Sequence, residues 1–564
     1  MSGSKIGKPR PSGHGGVRGD SSSPRSALFE GRFGRMFHGL PPAVWSESAL
    51  RDLAGEMISP PETVEGKPDQ PSAAPETALT LQDSEENAGI TAGYTYLGQF
   101  IDHDITFDPA SSLQKQNDPD ALIDYRTPRL DLDCLYGRGP DDQPYMFDGT
   151  KFRLGRSMTE NGAASKRRDL PRYEDIEDPT RAKRALIGDK RNDENVIVSQ
   201  LQSSMLQFHN KLVDVFPALP FADVQRKVRW HYQWIVVNDF LTRICGPEIV
   251  DEILPHRGQP MPAIDKTPRL KFYKWRNDPF MPIEFSAAAY RFGHSMVRPI
   301  YRLNTKLNGG QDPTKPSGDE GPNGLAGRFF IFAGVQQRGL NGFDAFPSSW
   351  AIDWSLFFDI DGSGAKGGKE RAQPSYKIDT SLVNPLGFLP EFSSVFSAGT
   401  DLTVATLQAR AKDAVGDPAV LATRNLFRGM AMGLPSGQAI ADHMGVARVQ
   451  DKNLRVGKAT VEDFPGNTLL TEIDGSFEGK APLWYYVLAE AQYEWFTRAT
   501  APGGKGNAEP VRLGAVGKRI VAETLIGMLA GDPHSYIRQA PNWEPDVHGT
   551  RLDSMGALLK FVDS

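Results

Sequence analysis

The sequence predicts a mainly α-helical fold, built as one large domain with long irregular loops and little β-structure. Residues 195–216 and 221–246 carry apolar residues at helical spacing along their whole length. Strand-like runs are few and short, such as RFFIFAG at 328–334. Long polar stretches rich in Gly and Pro separate the periodic segments and indicate irregular connections.

The other helices and the N-terminal tail are predicted from the local sequence pattern. The second long helix is followed by Gly246, the residue type that commonly ends a helix. Residues 1–28 are basic and rich in Gly, Ser and Pro, which predicts a disordered tail before a domain at 29–564. The other predicted helices cover 97–106, 284–298, 402–412, 418–432, 436–444, 483–498 and 511–530.

Composition excludes several classes of function. A net charge of −6 and a pI of about 6.0 give no reason to expect a nucleic-acid partner. Two cysteines, Cys134 and Cys245, cannot form a disulfide framework or a thiolate zinc cluster. The N-terminus lacks a Sec-type apolar region and no run is long enough for a transmembrane segment, which favours a cytoplasmic or leaderless secreted protein. The oligomeric state is not indicated.

The stretch QFIDHD at 99–104 concentrates acid and imidazole in one turn. On a helix, Gln99 and His103 share a face, and Asp102 and Asp104 flank it. Three interpretations compete: a metal site, a catalytic histidine oriented by its neighbours, or a polar helix face. Taken alone, the tripeptide is most often a core histidine with two surface aspartates.

Three later stretches repeat the pattern of polar pairs one helical turn apart. The pairs are Arg191 with Glu194, Arg291 with His294, and Asn425 with Arg428. Each has an ordinary structural explanation in isolation: a helix-capping acid beside a surface arginine, a core histidine, and an exposed polar pair.

Together and in this order, these pieces resemble the animal-type haem peroxidases of the peroxidase–cyclooxygenase superfamily. The matching patterns are Q-x-x-D-H-D, G-D-x-R-x-x-E, R-x-G-H and R-N-x-x-R, and the resemblance runs from FGRMF at 33–37 to 523–537. It implies a single helical haem-peroxidase domain that binds haem b. It also implies that hydrogen peroxide is reduced and that a halide, thiocyanate or small phenolic donor is oxidised through a ferryl intermediate.

The resemblance implies a role for each matched residue. His103 is the distal base that moves the peroxide proton, and Arg191 stabilises the departing oxygen. Gln99 hydrogen-bonds distal water or halide. His294 is the proximal iron ligand, and Asn425 accepts its Nδ1–H.

Four more residues match positions around the haem edge. Arg291 and Arg428 match residues of the propionate and proximal network. Asp102 and Glu194 match carboxylates that esterify haem methyl groups, so the haem can be covalent or only hydrogen-bonded here. Asn195 stands where a methionine forms a sulfonium link, so that link cannot form.

A calcium site is implied by the remaining aspartate of the motif. Asp104 matches a ligand whose site is completed by the loop TPRLDLD at 127–133. The other ligands are Thr127, the carbonyl of Arg129, Asp131 and Asp133, with Asp133 at a serine position of the family. Three carboxylates with Thr and backbone oxygens suit calcium. A second acidic loop, 359–370, resembles an EF-hand but has Lys366 at a hydrophobic position.

Two alternatives stay open. A fatty-acid dioxygenase of the same superfamily would use a tyrosyl radical, yet Arg291 occupies the position of the cyclooxygenase tyrosine. Tyr290, on a helix, would point about 100° away. The other alternative is a non-catalytic, calcium-stabilised haem-binding protein, which the intact set of His103, Arg191 and His294 disfavours.

Overall fold

The computed structural model describes ten ranges of the chain: 31–59, 84–107, 123–160, 163–173, 184–257, 267–307, 328–332, 339–367, 370–387 and 420–564. Helices dominate these ranges, which confirms the predicted mainly α class. The predicted tail at 1–28 and the predicted helix at 402–412 lie outside them, and the division into tail and domain stays a prediction.

The α-helices are numbered α1 to α15 in chain order. They are Glu47–Glu56, Gly93–Ile105, Asp133–Tyr136, Val196–Val215, Phe221–Ile235, Leu241–Ile244, Pro247–Ile253, Ile283–Ser286, Leu421–Ala431, Gly437–Met444, Leu470–Ile473, Leu483–Ala499, Ala515–Gly531, Tyr536–Gln539 and Met555–Asp563. Within the ranges that the structure describes, no helix is both long and apolar enough to cross a membrane.

The strands are short and form small separate sheets. In chain order, β1 to β15 are Gly31–Gly34, Glu86–Thr91, Ile123–Asp124, Phe147–Asp148, Lys151–Phe152, Ser157–Glu160, Ala163–Arg168, Met281–Pro282, Ile300–Arg302, Arg328–Phe330, Pro374–Tyr376, Arg455–Val456, Thr468–Leu469, Asp546–Val547 and Thr550–Arg551. The pair that matters for the site is β2 with β11, antiparallel with Thr91 opposite Pro374, because β2 leads directly into α2.

One apolar core runs through the helices. Helix α2 packs on α4, and α12 packs on α13, so the motif-bearing helix lies inside the molecule. The largest fully buried side chains include Trp354, Trp484 and Trp495. Burying large aromatic side chains supplies much of the free energy that holds such a helical assembly together.

Two predicted helices are interrupted. The segment 284–298 is wrong as one helix: a short α8 ends at Ser286, and a 3₁₀ helix covers Ala289–His294. Ala288, with φ −140° and ψ −76°, is not helical and breaks it. The segment 221–246 contains a π-helical turn at Val236–Phe240, although Gly246 follows its end with φ +90°, as predicted.

Candidate active site

The start of α2 is fixed by a glycine. The Gly93 amide donates to the Phe357 carbonyl at 2.8 Å. A Cβ at position 93 would lie 2.5 Å from both that oxygen and the Phe358 ring, closer than any real contact. Only glycine allows this approach, which anchors the helix and sets the depth at which Gln99 and His103 lie.

Both predicted histidines line one cavity of about 280 Å³, together with Gln99, Asp102, Glu194 and Arg291. The remaining lining is aromatic or apolar for the most part: Tyr94, Tyr96, Tyr290, Phe292, Met296, Val297, Ile331, Phe332, Leu386 and Leu421. An apolar cavity with a few convergent polar groups is the usual form of a cofactor or substrate site.

His103 is held in one tautomer. Its Nδ1 lies 2.7 Å from the side-chain oxygen of Asn192. The Asn192 amide nitrogen donates to Gln202 Oε1 at 2.9 Å, which fixes the orientation of the amide. Nδ1 therefore carries the proton, and Nε2 presents its lone pair as a base.

The surroundings of His103 keep the ring neutral. Burial, followed by the charge of Arg191, lowers the pKa of His103 to about 3. Its Nε2 lies 3.9 Å from a carboxylate oxygen of Glu194. At neutral pH the ring is therefore an uncharged proton acceptor in a buried cavity.

Gln99 is held from two sides. Its amide nitrogen donates to Glu194, and its oxygen accepts from the Asn195 side chain at 3.2 Å. The Asn195 oxygen also caps α4, accepting from the amides of residues 197 and 198. The capping role offered for Glu194 was thus wrong, because Glu194 follows a 3₁₀ turn at Lys190–Asp193 and turns into the cavity.

Arg191 is not among the residues that line the cavity. Its guanidinium binds the carboxylate of Asp189 at 2.8 Å and donates to the main-chain oxygen of His103 at 3.0 Å. It also lies over the Phe107 ring, 4.5 Å from the centroid. Asp189 therefore holds the expected distal arginine next to the main chain of His103.

His294 ends the 3₁₀ helix and contacts Asn425 at 2.9 Å through Nδ1. The contacting atom is the amide nitrogen, so Asn425 donates here, whereas the sequence predicted that it accepts. The cause is Arg291, whose Nη1 donates to the Asn425 oxygen at 3.0 Å. Burial and Arg291 lower the pKa of His294 to about 3, so this ring is neutral too.

The orientation predicted for Tyr290 was wrong. Tyr290 lines the same cavity as His294. Its hydroxyl donates to the Gly98 carbonyl at 3.2 Å. The argument against a tyrosyl-radical enzyme therefore rests on Arg291 alone.

The charged groups near His294 are mostly basic. Burial and the neighbouring Arg428 lower the pKa of Arg291 to about 10. Asp102 lines the cavity, and burial raises its pKa despite Arg191 and Arg291 nearby. Concentrated guanidinium charge at a cavity wall suits an anionic ligand group.

The predicted calcium ligands come together. Oxygens of Asp104, Asp131 and Asp133 lie within 4.8 Å of one another. Thr127 Oγ1 and one oxygen each of Asp104 and Asp133 are buried without a hydrogen bond. Oxygen atoms buried in this way fit a hard cation.

The loop that carries these oxygens is folded tightly around Asp104. Leu130 and Leu132 have positive φ values of 54° and 58°, and the Leu132 amide donates to Asp104. The side chain of Arg129 binds Asp278 at 2.6 Å.

Sequence reasoning missed three residues: Asn192, which orients His103; Asp189, which holds Arg191; and Arg126, which binds Asp189 at 2.5 Å. Asp189 belongs to the G-D-x-R pattern and could have been noticed there. The roles of Asn192 and Arg126 depend on contacts across 89 and 63 residues, for which the sequence carries no local signal.

Parts of the chain are similar to known proteins. Residues 111–320 match the sequence model described as Animal haem peroxidase. A peroxidase-like protein of Margaritifera margaritifera is 34% identical over 122 residues, which are 20% of this chain and 14% of that protein. Thyroid peroxidase of Canis lupus familiaris is 28% identical over 165 residues, 28% of this chain and 15% of that protein. The matches thus span about one seventh of these relatives.

A solved structure shares the fold over almost the whole chain. Peroxidase A from Dictyostelium discoideum superposes with a TM-score of 0.50 at 14% identity, covering 97% of this chain and 96% of that one. At this identity the likeness concerns the fold, and it agrees with the mainly α class.

Proposed function

We propose that the chain is an animal haem peroxidase, which reduces hydrogen peroxide with a bound haem and oxidises a small donor. The observation that carries the proposal is the pair of neutral histidines on one cavity: His103, with Nε2 as a base, and His294. One histidine can hold iron while the other handles the peroxide proton.

The residues present fit a haem. His294 is the iron ligand, and the basic charge of Arg291 and Arg428 suits the propionates. Iron binding through Nε2 requires the proton on Nδ1. Asn425 must then turn its amide over and accept, which releases Arg291 from the Asn425 oxygen to bind a propionate.

A bound haem supplies the electron transfer between peroxide and donor. The chain supplies the proton transfer: His103 Nε2 takes a proton from peroxide and returns it to the departing oxygen, while Asn192 keeps the other nitrogen protonated. Arg191 adds positive charge behind this base. Asp102 and Glu194 are the carboxylates available for ester links with the haem.

We assign the three-aspartate cluster to calcium, which Asp104, Asp131 and Asp133 bind together with Thr127 and the carbonyl of Arg129. The buried oxygens of Asp104, Asp133 and Thr127 that make no hydrogen bond support this. The cluster borders the last turn of α2, so the cation stabilises the segment that carries His103.

The cavity favours a neutral organic donor over a halide. A carboxylate oxygen of Glu194 lies 3.9 Å from His103 Nε2. Glu194 also accepts a hydrogen bond from the side-chain N–H of Gln99, the group that a bound halide would need. A carboxylate at that position repels anions in a buried cavity. An ester link through Glu194 would remove this negative charge, and the cavity would then no longer favour neutral donors over halides.

Haem titration of the purified chain tests the proposal. The unchanged chain should bind haem stoichiometrically with a sharp Soret band, and His294→Ala should lose this binding. His209→Ala is the matched control, because His209 is a buried histidine bound to Tyr136 and the Thr150 carbonyl. Equal haem affinity and equal spectra for His294→Ala and the unchanged chain would refute the assignment.

A further inference from the structure

One carboxylate is shared between two arginines next to the proposed calcium site. Asp189 Oδ2 accepts from Arg126 at 2.9 and 2.5 Å, and from Arg191 at 2.8 Å. Burial raises the pKa of Asp189, but Arg191 and Arg126 together bring it well below its usual range. Asp189 is therefore ionised, and the two guanidinium groups compete for its Oδ2.

Arg126 has a second carboxylate partner. Its Nε lies 3.7 Å from Asp133 Oδ1, an oxygen of the three-aspartate cluster. Asp133 stands where the family has a serine, so this carboxylate and its arginine form a pair added to the site. Arg126 and Arg191 also both lie over the Phe107 ring, at 5.9 and 4.5 Å. The side chains of Arg126 and Asp189 thus connect the three-aspartate cluster to Arg191.

We propose that Arg126 is a positioning residue that transmits cation binding at the three-aspartate cluster to Arg191. A divalent cation neutralises Asp133 and repels the nearby guanidinium. Arg126, which already hydrogen-bonds to Asp189 Oδ2 through Nε and Nη2, is then pushed further onto this carboxylate and weakens its contact with Arg191. Arg191 is then held less tightly, by Asp189 Oδ1 and the His103 carbonyl. The proposal rests on the calcium assignment above and does not require bound haem.

The first test is a double-mutant cycle on calcium affinity, measured calorimetrically on the full haem-free chain. Arg126→Gln should tighten calcium binding about tenfold, because it removes a repelling charge. Asp189→Asn should weaken binding about tenfold, because Arg126 then pairs with Asp133 alone. In the Arg126→Gln background, Asp189→Asn should change affinity by less than about threefold. Arg138→Gln removes the same charge from an arginine paired with Asp142 and should have little effect.

The second test follows Arg191 directly and needs only Arg126→Gln, which leaves the Asp189–Arg191 pair in place. Phenylglyoxal modifies accessible arginines, and mass spectrometry gives the rate for the Arg191 peptide. Calcium should speed this modification at least threefold in the unchanged chain and not in Arg126→Gln.

Three results would overturn the proposal. They are an equal effect of Asp189→Asn in both backgrounds, a calcium-independent rate at Arg191, and no calcium binding at millimolar concentration. The last result would also remove the calcium assignment, whereas the first two would leave it and the peroxidase function intact.

Discussion

The raised pKa of Asp104 should make the calcium-free chain less stable as pH rises. Burial, followed by the charge of Asp131, raises the pKa of Asp104 from 3.8 to about 7. Between these values the unfolded chain has lost the proton and the folded chain keeps it, so stability falls with rising pH. At about 1.4 kcal/mol per pH unit, the loss reaches about 4 kcal/mol at pH 7 and then levels off.

Calcium should abolish this loss, because a bound cation keeps the carboxylate ionised. Denaturant unfolding from pH 5 to 8, with saturating calcium or with a chelator, measures both curves. Their difference should grow up to about pH 7, and calcium affinity should rise towards tenfold per pH unit below it. Asp104→Asn should make the chelator curve less steep, while other buried carboxyl groups with raised pKa values, such as Asp133 and Asp124, keep part of its slope. Two parallel curves, with the same pH dependence in calcium and in chelator, would refute the reasoning.

Three other changes test the site. Asn192→Ala should slow the reaction with peroxide about tenfold in stopped-flow traces, since His103 loses the partner that fixes its tautomer; an unchanged rate would contradict that role. Glu194→Gln should raise the ratio of iodide to phenol oxidation about tenfold, and a constant ratio would speak against charge discrimination. Gly93→Ala should lower unfolding free energy by about 2 kcal/mol through overpacking. Gly98→Ala, whose Cβ would lie 3.3 Å from the Phe240 ring, should lower the unfolding free energy by less.

The sequence was most informative where chemistry and local spacing coincide. His103, Gln99 and Asp102 share one turn of α2, so their presence at one cavity follows from helical periodicity. The loop around Asp131 and Asp133 was recognised through its resemblance to the calcium loop of the family, which TPRLDLD at 127–133 matches. These predictions depended on residues close together in the chain.

Other features depend on tertiary contacts that no window of sequence contains. The chain breaks at Ala288 and continues as a 3₁₀ segment where one helix was predicted, and Tyr290 of that segment lines the cavity. The amide of Asn425 is oriented by Arg291, 134 residues away. Arg191, which matches the distal arginine, is held by Asp189, two residues before it, and is not among the residues that line the cavity.

The most direct test of the central claim is the Soret band of the haem-loaded chain after one equivalent of hydrogen peroxide. If His103 is the base, the band should change within milliseconds. His103→Ala should slow that change by at least about 100-fold, while His209→Ala reacts like the unchanged chain. A Soret band that does not change when peroxide is added would contradict the account. A His103→Ala variant that reacts as fast as the unchanged chain would contradict it too.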